Sequence, residues 1–328
     1  MSHDFFIDRR GAARQLGALL LAAAAAPLVR AAAHQALRIG YQKYGTLTLL
    51  KARGDLEKRL APQGIDIKWT EFPAGPQLLE GLNVGSIDFG TVGEAPPIFA
   101  QAAGADLVYV ANQPAAPAGE AIVVPRDSAI RDLPGLRGKR VALNKGSNVH
   151  FLLVKALEKA GLRYDEIQPV YLPPADARAA FERGAVDAWV IWDPFLAAAE
   201  KTLGVRVLAD GTGLVSNHQF YLASRGYANR QPQVLAAVID ELSRLDRWAT
   251  DHRKEVAQFL APQVGLDVDV AERAASRFAY GIAPVSPAVA AEQQKIADAF
   301  YALKLIPKPI RVADALPSAP IRLAQEAR

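Results

Sequence analysis

The sequence predicts a two-lobe α/β protein in which one domain is inserted into another, leaving a cleft between them. Three observations carry that expectation. Short apolar runs alternate with longer helical patterns from Leu37 onward, the mark of parallel α/β units. The series halts at residues 113–119, a stretch holding Pro114, Pro117 and Gly119, and then restarts. A late strand at residues 219–223 returns toward the first series, and beyond it the pattern is nearly all helical. A chain of 328 residues suits two such domains.

Taken in order, a strand at residues 37–42 leads to a helix at 46–60, a strand at 65–69 and a helix at 76–83. A very short strand at 87–89, a helix at 97–103 and a strand at 107–111 complete the first series. The second series has strands at 121–124, 140–143, 169–172, 188–191 and 206–208, with helices at 149–160 and 175–183. The later helices fall at 233–250, 254–260, 269–277 and 287–303. No internal repeat stands out. This pattern assigns residues 34–118 plus 220–328 to lobe I and 119–219 to lobe II. Two crossings, near 117–121 and 217–221, make a hinge, and the cleft between the lobes is a natural ligand site.

Residues 1–33 read as a cleavable export signal. A charged start ends in Arg9-Arg10, an apolar stretch runs from Leu16 to Ala26, and Ala31-Ala32-Ala33 gives a small-residue cleavage pattern before His34. The apolar stretch is too short to cross a bilayer core of ~30 Å. Arg9-Arg10 leaves the Sec and twin-arginine routes both open. The chain contains no Cys, so neither disulfides nor a lipidated N-terminal Cys are expected, and the mature form is expected free in the periplasm.

Residues 1–33 hold four of the 38 basic and two of the 34 acidic side chains, which leaves 34 against 32 and a net charge of +2. That balance, with no basic stripe interleaved with aromatics, argues against nucleic acid as a partner.

The chemistry is expected where strands end and helices begin, because ligands of open α/β sheets bind there. Helix N-termini also present unpaired N–H groups and a positive dipole end to an anion. Four turns fit. Gln42-Lys43-Tyr44-Gly45-Thr46 has Thr46 as a candidate N-cap. Gly90-Thr91-Val92-Gly93-Glu94 has two glycines that let a ligand approach the backbone ahead of Pro96 and Pro97. Asn144-Lys145-Gly146-Ser147-Asn148 feeds a helix. In Trp192-Asp193-Pro194, Asp193 caps and Pro194 takes the first helical position. As a set these turns suggest an anion cradle, with Ser147, Thr91 and Asn148 as donors competing with simple capping roles. Lys43 and Lys145 are candidate counter-charges, and Glu94 is expected to cap its helix. The spacing of Trp189 and Trp192 puts them on opposite faces of a strand, so one can line the cleft while the other packs.

Catalysis is the weaker reading. The chain has no thiol, no G-x-S-x-G elbow, no Walker or G-x-G-x-x-G motif and no paired His for a metal. No cofactor and no metal are expected.

The same turns resemble those of the periplasmic aliphatic-sulfonate-binding proteins of ABC importers. The likeness rests on Arg38-Ile39-Gly40-Tyr41-Gln42-Lys43, on Glu71-Phe72-Pro73-Ala74-Gly75-Pro76 and on Leu82-Asn83-Val84-Gly85-Ser86-Ile87-Asp88-Phe89-Gly90. Lys145-Gly146-Ser147-Asn148 and Val186-Asp187-Ala188-Trp189-Val190-Ile191-Trp192-Asp193-Pro194 extend it, and it covers roughly residues 36–310. The resemblance implies a type II periplasmic-binding fold that closes on a small organosulfonate anion and delivers it to an ABC permease in the inner membrane. It implies that the sulfonate meets Gln42, Gly90, Thr91, Ser147 and Asn148. Gly93 belongs to the same glycine turn, the alkyl part lies near Trp192, and Asp193 shapes that turn. Relatives often carry a second small hydroxyl residue where this chain has Val92. Taurine, nitrate and thiamine-precursor proteins share the fold, so taurine, nitrate or another small anion remains an alternative ligand, and an enzyme on the same scaffold a further one. A monomer is expected.

Overall fold

The computed structural model describes residues 35–317. The export signal expected at 1–33 lies outside these described residues.

The described chain folds into two five-stranded sheets, one per lobe. The first lobe opens with β1 (Gln35–Tyr41), α1 (Gly45–Arg53), α2 (Asp55–Leu60) and β2 (Ile65–Glu71). It continues with α3 (Gly75–Asn83), β3 (Phe89–Gly93), α4 (Ala95–Ala102) and β4 (Leu107–Asn112). The second lobe takes β5 (Glu120–Val124), β6 (Arg140–Leu143), α5 (Asn148–Lys159) and β7 (Gln168–Tyr171). It ends with α6 (Pro174–Glu182), β8 (Ala188–Trp192), α7 (Phe195–Thr202) and β9 (Arg206–Asp210). The chain then returns through β10 (Gln219–Ser224), and five helices follow. They are α8 (Arg225–Arg230), α9 (Pro232–Asp251), α10 (Arg253–Val264), α11 (Val268–Arg277) and α12 (Pro287–Ala302).

The sheet orders are β2-β1-β3-β10-β4 and β7-β6-β8-β5-β9. They are the same order. In each, a parallel pair (β1 with β3, β6 with β8) adjoins one antiparallel strand, β10 or β5, and these two strands lie where the chain changes lobe. The interior strands β3 and β5 are buried along their whole length, because helices cover both faces of each sheet. The first lobe packs Leu37, Leu50, Leu235 and Leu242 on one face and Leu78, Ile98, Tyr109 and Phe300 on the other.

The lobes also share a side-chain device, so a structural repeat exists where no repeat stands out in the sequence. Asp88 accepts from the Arg38 backbone N–H (3.0 Å), Nε (2.8 Å) and Nη2 (2.6 Å). Asp187 accepts from the Arg140 backbone N–H (2.8 Å), Nε (3.2 Å) and Nη2 (3.0 Å). Each guanidinium also donates to a glycine carbonyl three residues before its Asp, Gly85 or Gly184. Both glycines have left-handed φ, +72° and +68°, ending α3 and α6.

Several boundaries differ from expectation. The helix expected at 46–60 breaks at Gly54, whose φ of +65° ends α1 with its N–H on the Leu50 carbonyl. The strand expected at 87–89 runs instead from Phe89 to Gly93, because that stretch pairs residue by residue with β10. Helix α7 is the helix expected to start at Asp193-Pro194, but Pro194 stands at its N-cap rather than at its first helical position.

Between the lobes the two connections run side by side. The Ala116 N–H donates to Ser216 O (3.0 Å), Gly211 N–H to Pro117 O (3.1 Å) and Gln113 N–H to Gln219 O (2.8 Å). A third link comes from α11, which lies against α7 of the second lobe through Ala197, Ala198 and Val270. Among the described residues no helix is long and apolar enough to cross a membrane.

Candidate functional site

A cleft of about 570 Å³, open solvent at its mouth included, lies between the lobes at the carboxyl ends of the strands. Its walls come from Gln42 and Tyr44 after β1, Gly93 at the end of β3, Ser147 and Asn148 at the start of α5, and Trp192 and Asp193 after β8. Asn217 and Gln219 from the returning connection and Arg277 and Phe278 from the end of α11 complete the lining.

A polar belt crosses the floor. Gln42 Nε2 donates to Thr91 O (3.1 Å) and the Tyr44 hydroxyl (3.3 Å), and that hydroxyl donates to Gln219 Oε1 (2.7 Å). Asn148 Nδ2 donates to Asn217 Oδ1 (2.5 Å), and Asn217 Nδ2 to Ala116 O (2.8 Å). Asn148 Oδ1 accepts the Ala95 N–H of the opposite lobe at 3.2 Å, capping α4 from across the cleft. Gly93 makes that contact possible, since a Cβ there would lie 2.1 Å from the Asn148 amide.

The expected site residues divide accordingly. Gln42, Gly93, Ser147, Asn148, Trp192 and Asp193 line the cleft. Gly90 and Thr91 do not: they are internal to β3 rather than in a turn. The Thr91 hydroxyl donates to Phe220 O at 3.2 Å, and a Cβ on Gly90 would sit 2.9 Å from Gly40 O. Their role is close strand packing behind the cleft floor. Thr46 is no N-cap: its hydroxyl donates to the buried Asp246 at 2.5 Å, beside Gln113 Nε2 at 2.8 Å on the other carboxylate oxygen. Ser147 stands at the N-cap of α5, but its hydroxyl donates to Asn144 O at 2.7 Å. Trp189 is buried against Phe181 while Trp192 reaches the cleft, edge-on to Phe195.

Neither lysine lines the cleft. Lys43 is exposed and pairs with Glu71 at 3.5 Å, and Lys145 lies over the Tyr171 ring. The cation in the lining is Arg277, which holds both Asp193 oxygens at 3.3 Å and also Glu200. It closes a helix rather than a strand, so the strand-end argument could not reach it. Tyr44 sat inside a predicted turn, but nothing in the pattern marked its ring as a floor residue.

Three titrating groups bear on the electrostatics. Burial raises Asp193 to about 6, although Arg277 and the Ala197 N–H (3.0 Å) pull the other way. Burial raises Glu94 to about 7; it does not cap its helix but accepts from the His218 N–H at 3.1 Å. Burial, with the nearby charge of Glu94, holds Glu120 well above the carboxylate range. Burial thus shifts all three acids toward the neutral form, Glu120 with no cation to oppose it, while above about pH 6 Asp193 is a carboxylate whose charge Arg277 offsets. His150 is lowered to about 3 by burial and by Lys145. Its Nδ1 accepts from Gly146 N–H (3.2 Å), so Nε2 carries the proton toward the Tyr164 hydroxyl at 2.8 Å. Neutral and aromatic-packed, it supports the Ser147 turn rather than acting as a base.

The arrangement offers amide, hydroxyl and guanidinium donors together with the N-terminus of α5, whose first N–H groups have no acceptor within the helix. The profile of the NMT1-like family matches residues 30–261.

The chain belongs to the NMT1-like family.

Relatives of this NMT1-like chain match it over most of its length. It is 49% identical over 280 residues to a protein of Escherichia coli (strain K12) named as an aliphatic sulfonates-binding protein, covering 85% of this chain and 87% of the other. The alkanesulfonate-binding protein SsuA from Xanthomonas axonopodis pv. citri, solved bound to MOPS, superposes with a TM-score of 0.83 at 46% identity. That match covers 87% of this chain and 98% of the other. The periplasmic aliphatic sulphonate binding protein SsuA from Escherichia coli gives 0.79 at 46% identity, over 90% and 95%. The two-lobe fold is therefore that of periplasmic binding proteins, and these relatives are binding proteins rather than enzymes.

Proposed function

We propose that this chain captures an aliphatic sulfonate in the interlobe cleft and delivers it to an ABC importer, with no bond made or broken. The observation that carries the reading is the donor-lined cleft itself, in a chain nearly half identical to a protein named for aliphatic sulfonates. Sulfonate oxygens are acceptors only, and Gln42, Ser147, Asn148 and Arg277 surround the space with donors now bonded to protein acceptors, which a sulfonate would replace in part. The glycine backbone of Gly93 lets the head group approach, and Trp192 and Phe278 give the alkyl part an apolar wall. Asn148 already spans the cleft to the Ala95 N–H, which favours a closed, ligand-holding form.

In this reading residues 1–33 direct export, the hinge lies at the two adjoining connections, and the lobes divide as 34–118 plus 220–328 and 119–219. The mature chain works as a periplasmic monomer, and the absence of Cys leaves no thiol for a lipid anchor. The test is a thermal-shift and calorimetry panel on the chain from His34 with alkanesulfonates, taurine, MOPS, nitrate and sulfate. A ligand bound only by the folded form stabilises it by about 2.7 kcal/mol at 100 times its dissociation constant. Shifts with alkanesulfonates and not sulfate are expected. A response confined to nitrate or taurine overturns the sulfonate assignment.

A further inference from the structure

We infer that the cleft continues past Phe278 into an apolar chamber that takes the ligand's tail and sets the chain length selected; this rests on the sulfonate reading above. Tyr44, Asp193, Ala274 and Phe278 line both the cleft and a neighbouring space of about 410 Å³, its opening included, so the two are contiguous. Beyond Phe278 the walls are Leu260 and Val264 of α10, Ala271 and Ala275 of α11, Pro194 and the ring of Tyr280, with the exposed Lys43, paired with Glu71, also in the lining.

The polar groups at the junction are already occupied. The Tyr44 hydroxyl is bonded to Gln219, and the Asp193 carboxylate to Arg277 and the Ala197 N–H. A methylene chain passing them therefore strips no unpaired polar atom of water. The room has a sequence cause. Ala271, Ala274 and Ala275 follow helical spacing, so the face of α11 turned to the chamber carries only methyl groups. Gly45 (φ +72°) lies under the Phe278 ring, where even a Cβ would come within 3.3 Å of its edge. A second groove, which shares only Pro96 with the cleft and is lined by Glu80, Asn83, Lys145 and Tyr171, is wider and more polar, and suits water better than an alkyl chain.

The experiment is calorimetry of the mature chain with the linear series from methane- to octanesulfonate. Each methylene that enters the chamber tightens binding about fourfold until the chamber is full. Val264→Phe and Ala271→Leu reduce the chamber from two helices without touching the head-group side. Both are expected to leave methanesulfonate within about twofold of the parent and to weaken octanesulfonate about 30-fold, the loss of two to three methylenes. A melting curve verifies folding. Should Ala271→Leu fail to fold, Val264→Phe, at a half-buried position, carries the test alone. Affinity that stays flat along the series, or an octanesulfonate gain that survives in the folded variants, overturns the chamber while leaving sulfonate capture intact. Failure of every sulfonate to bind overturns the reading beneath it.

Discussion

In the first lobe Arg38 clips Asp88 across β1 and β3, and in the second Arg140 clips Asp187 across β6 and β8. The same strand order, the same left-handed glycine and the same Arg–Asp geometry make the two halves one frame used twice. The strands that follow the clips then diverge. β3 ends in Gly93-Glu94 and β8 in Trp192-Asp193. The first lobe thus brings bare backbone to the cleft and the second an indole and a carboxylate. The two acids occupy equivalent places and differ in company. Glu94 accepts backbone N–H groups and has no cation beside it, whereas Asp193 has Arg277. Frame residues recur, and cleft residues are what each lobe adds.

The largest effect is expected from removing the cation that Asp193 has beside it and Glu94 lacks. Arg277→Met strands the buried Asp193 carboxylate and takes one of two guanidinium partners from Glu200. It should cost about 3 kcal/mol in urea unfolding at pH 8, less at pH 5 where Asp193 holds its proton, and weaken sulfonate binding at least about tenfold. Equal losses at the two pH values would mean that Asp193 does not depend on Arg277.

The uncompensated acid of the first lobe gives the next effect. Glu94 rises from 4.5 to about 7 on folding, so the folded state holds its proton more tightly. Its contribution to stability is full below pH 4.5 and is lost as pH climbs through about 7. Glu94→Gln removes that loss, so the variant should gain up to about 3 kcal/mol relative to the parent between pH 4.5 and pH 8. Asp193→Asn should move the same difference to the window from 3.8 to about 6. His150, lowered to about 3, acts in the opposite sense, since its contribution is present above pH 6.5 and fades as pH falls. For that reason the quantity to read is the variant-minus-parent difference.

The smallest effect tests the frame. The Asp88 side chain is 5% exposed and that of Asp187 32%. Asp88→Asn should cost about 2 kcal/mol and Asp187→Asn about 1, read from urea midpoints at constant slope. A reversed order would break the equivalence of the two clips.

Much of this molecule could be read from its residues. Val123 and Leu143 mark strands and Val149 a helix start because apolar runs bounded by turn residues have few other folded uses. The interruption at 113–119 and the return at Gln219 implied two connected lobes, and the odd spacing of Trp189 and Trp192 implied that one indole packs while the other is free. The frame itself left a trace that went unread: Gly85-Ser86-Ile87-Asp88 and Gly184-Ala185-Val186-Asp187 share a spacing, but four residues recurring about a hundred positions apart are weak without the clip to explain them.

What the sequence by itself determined is local: where strands end, which residues start helices, and that small polar residues gather at those ends. Only the tertiary structure decided which of them meet. Gly90 and Thr91 lie one residue pair short of the cleft because pairing with β10 carried β3 on to Gly93. Arg277, Asn217 and Phe278 reach it because the returning chain and α11 pack against the second lobe. Local propensity is set by neighbours in the chain, whereas a binding site is set by contacts that span as many as 175 positions, as between Tyr44 and Gln219.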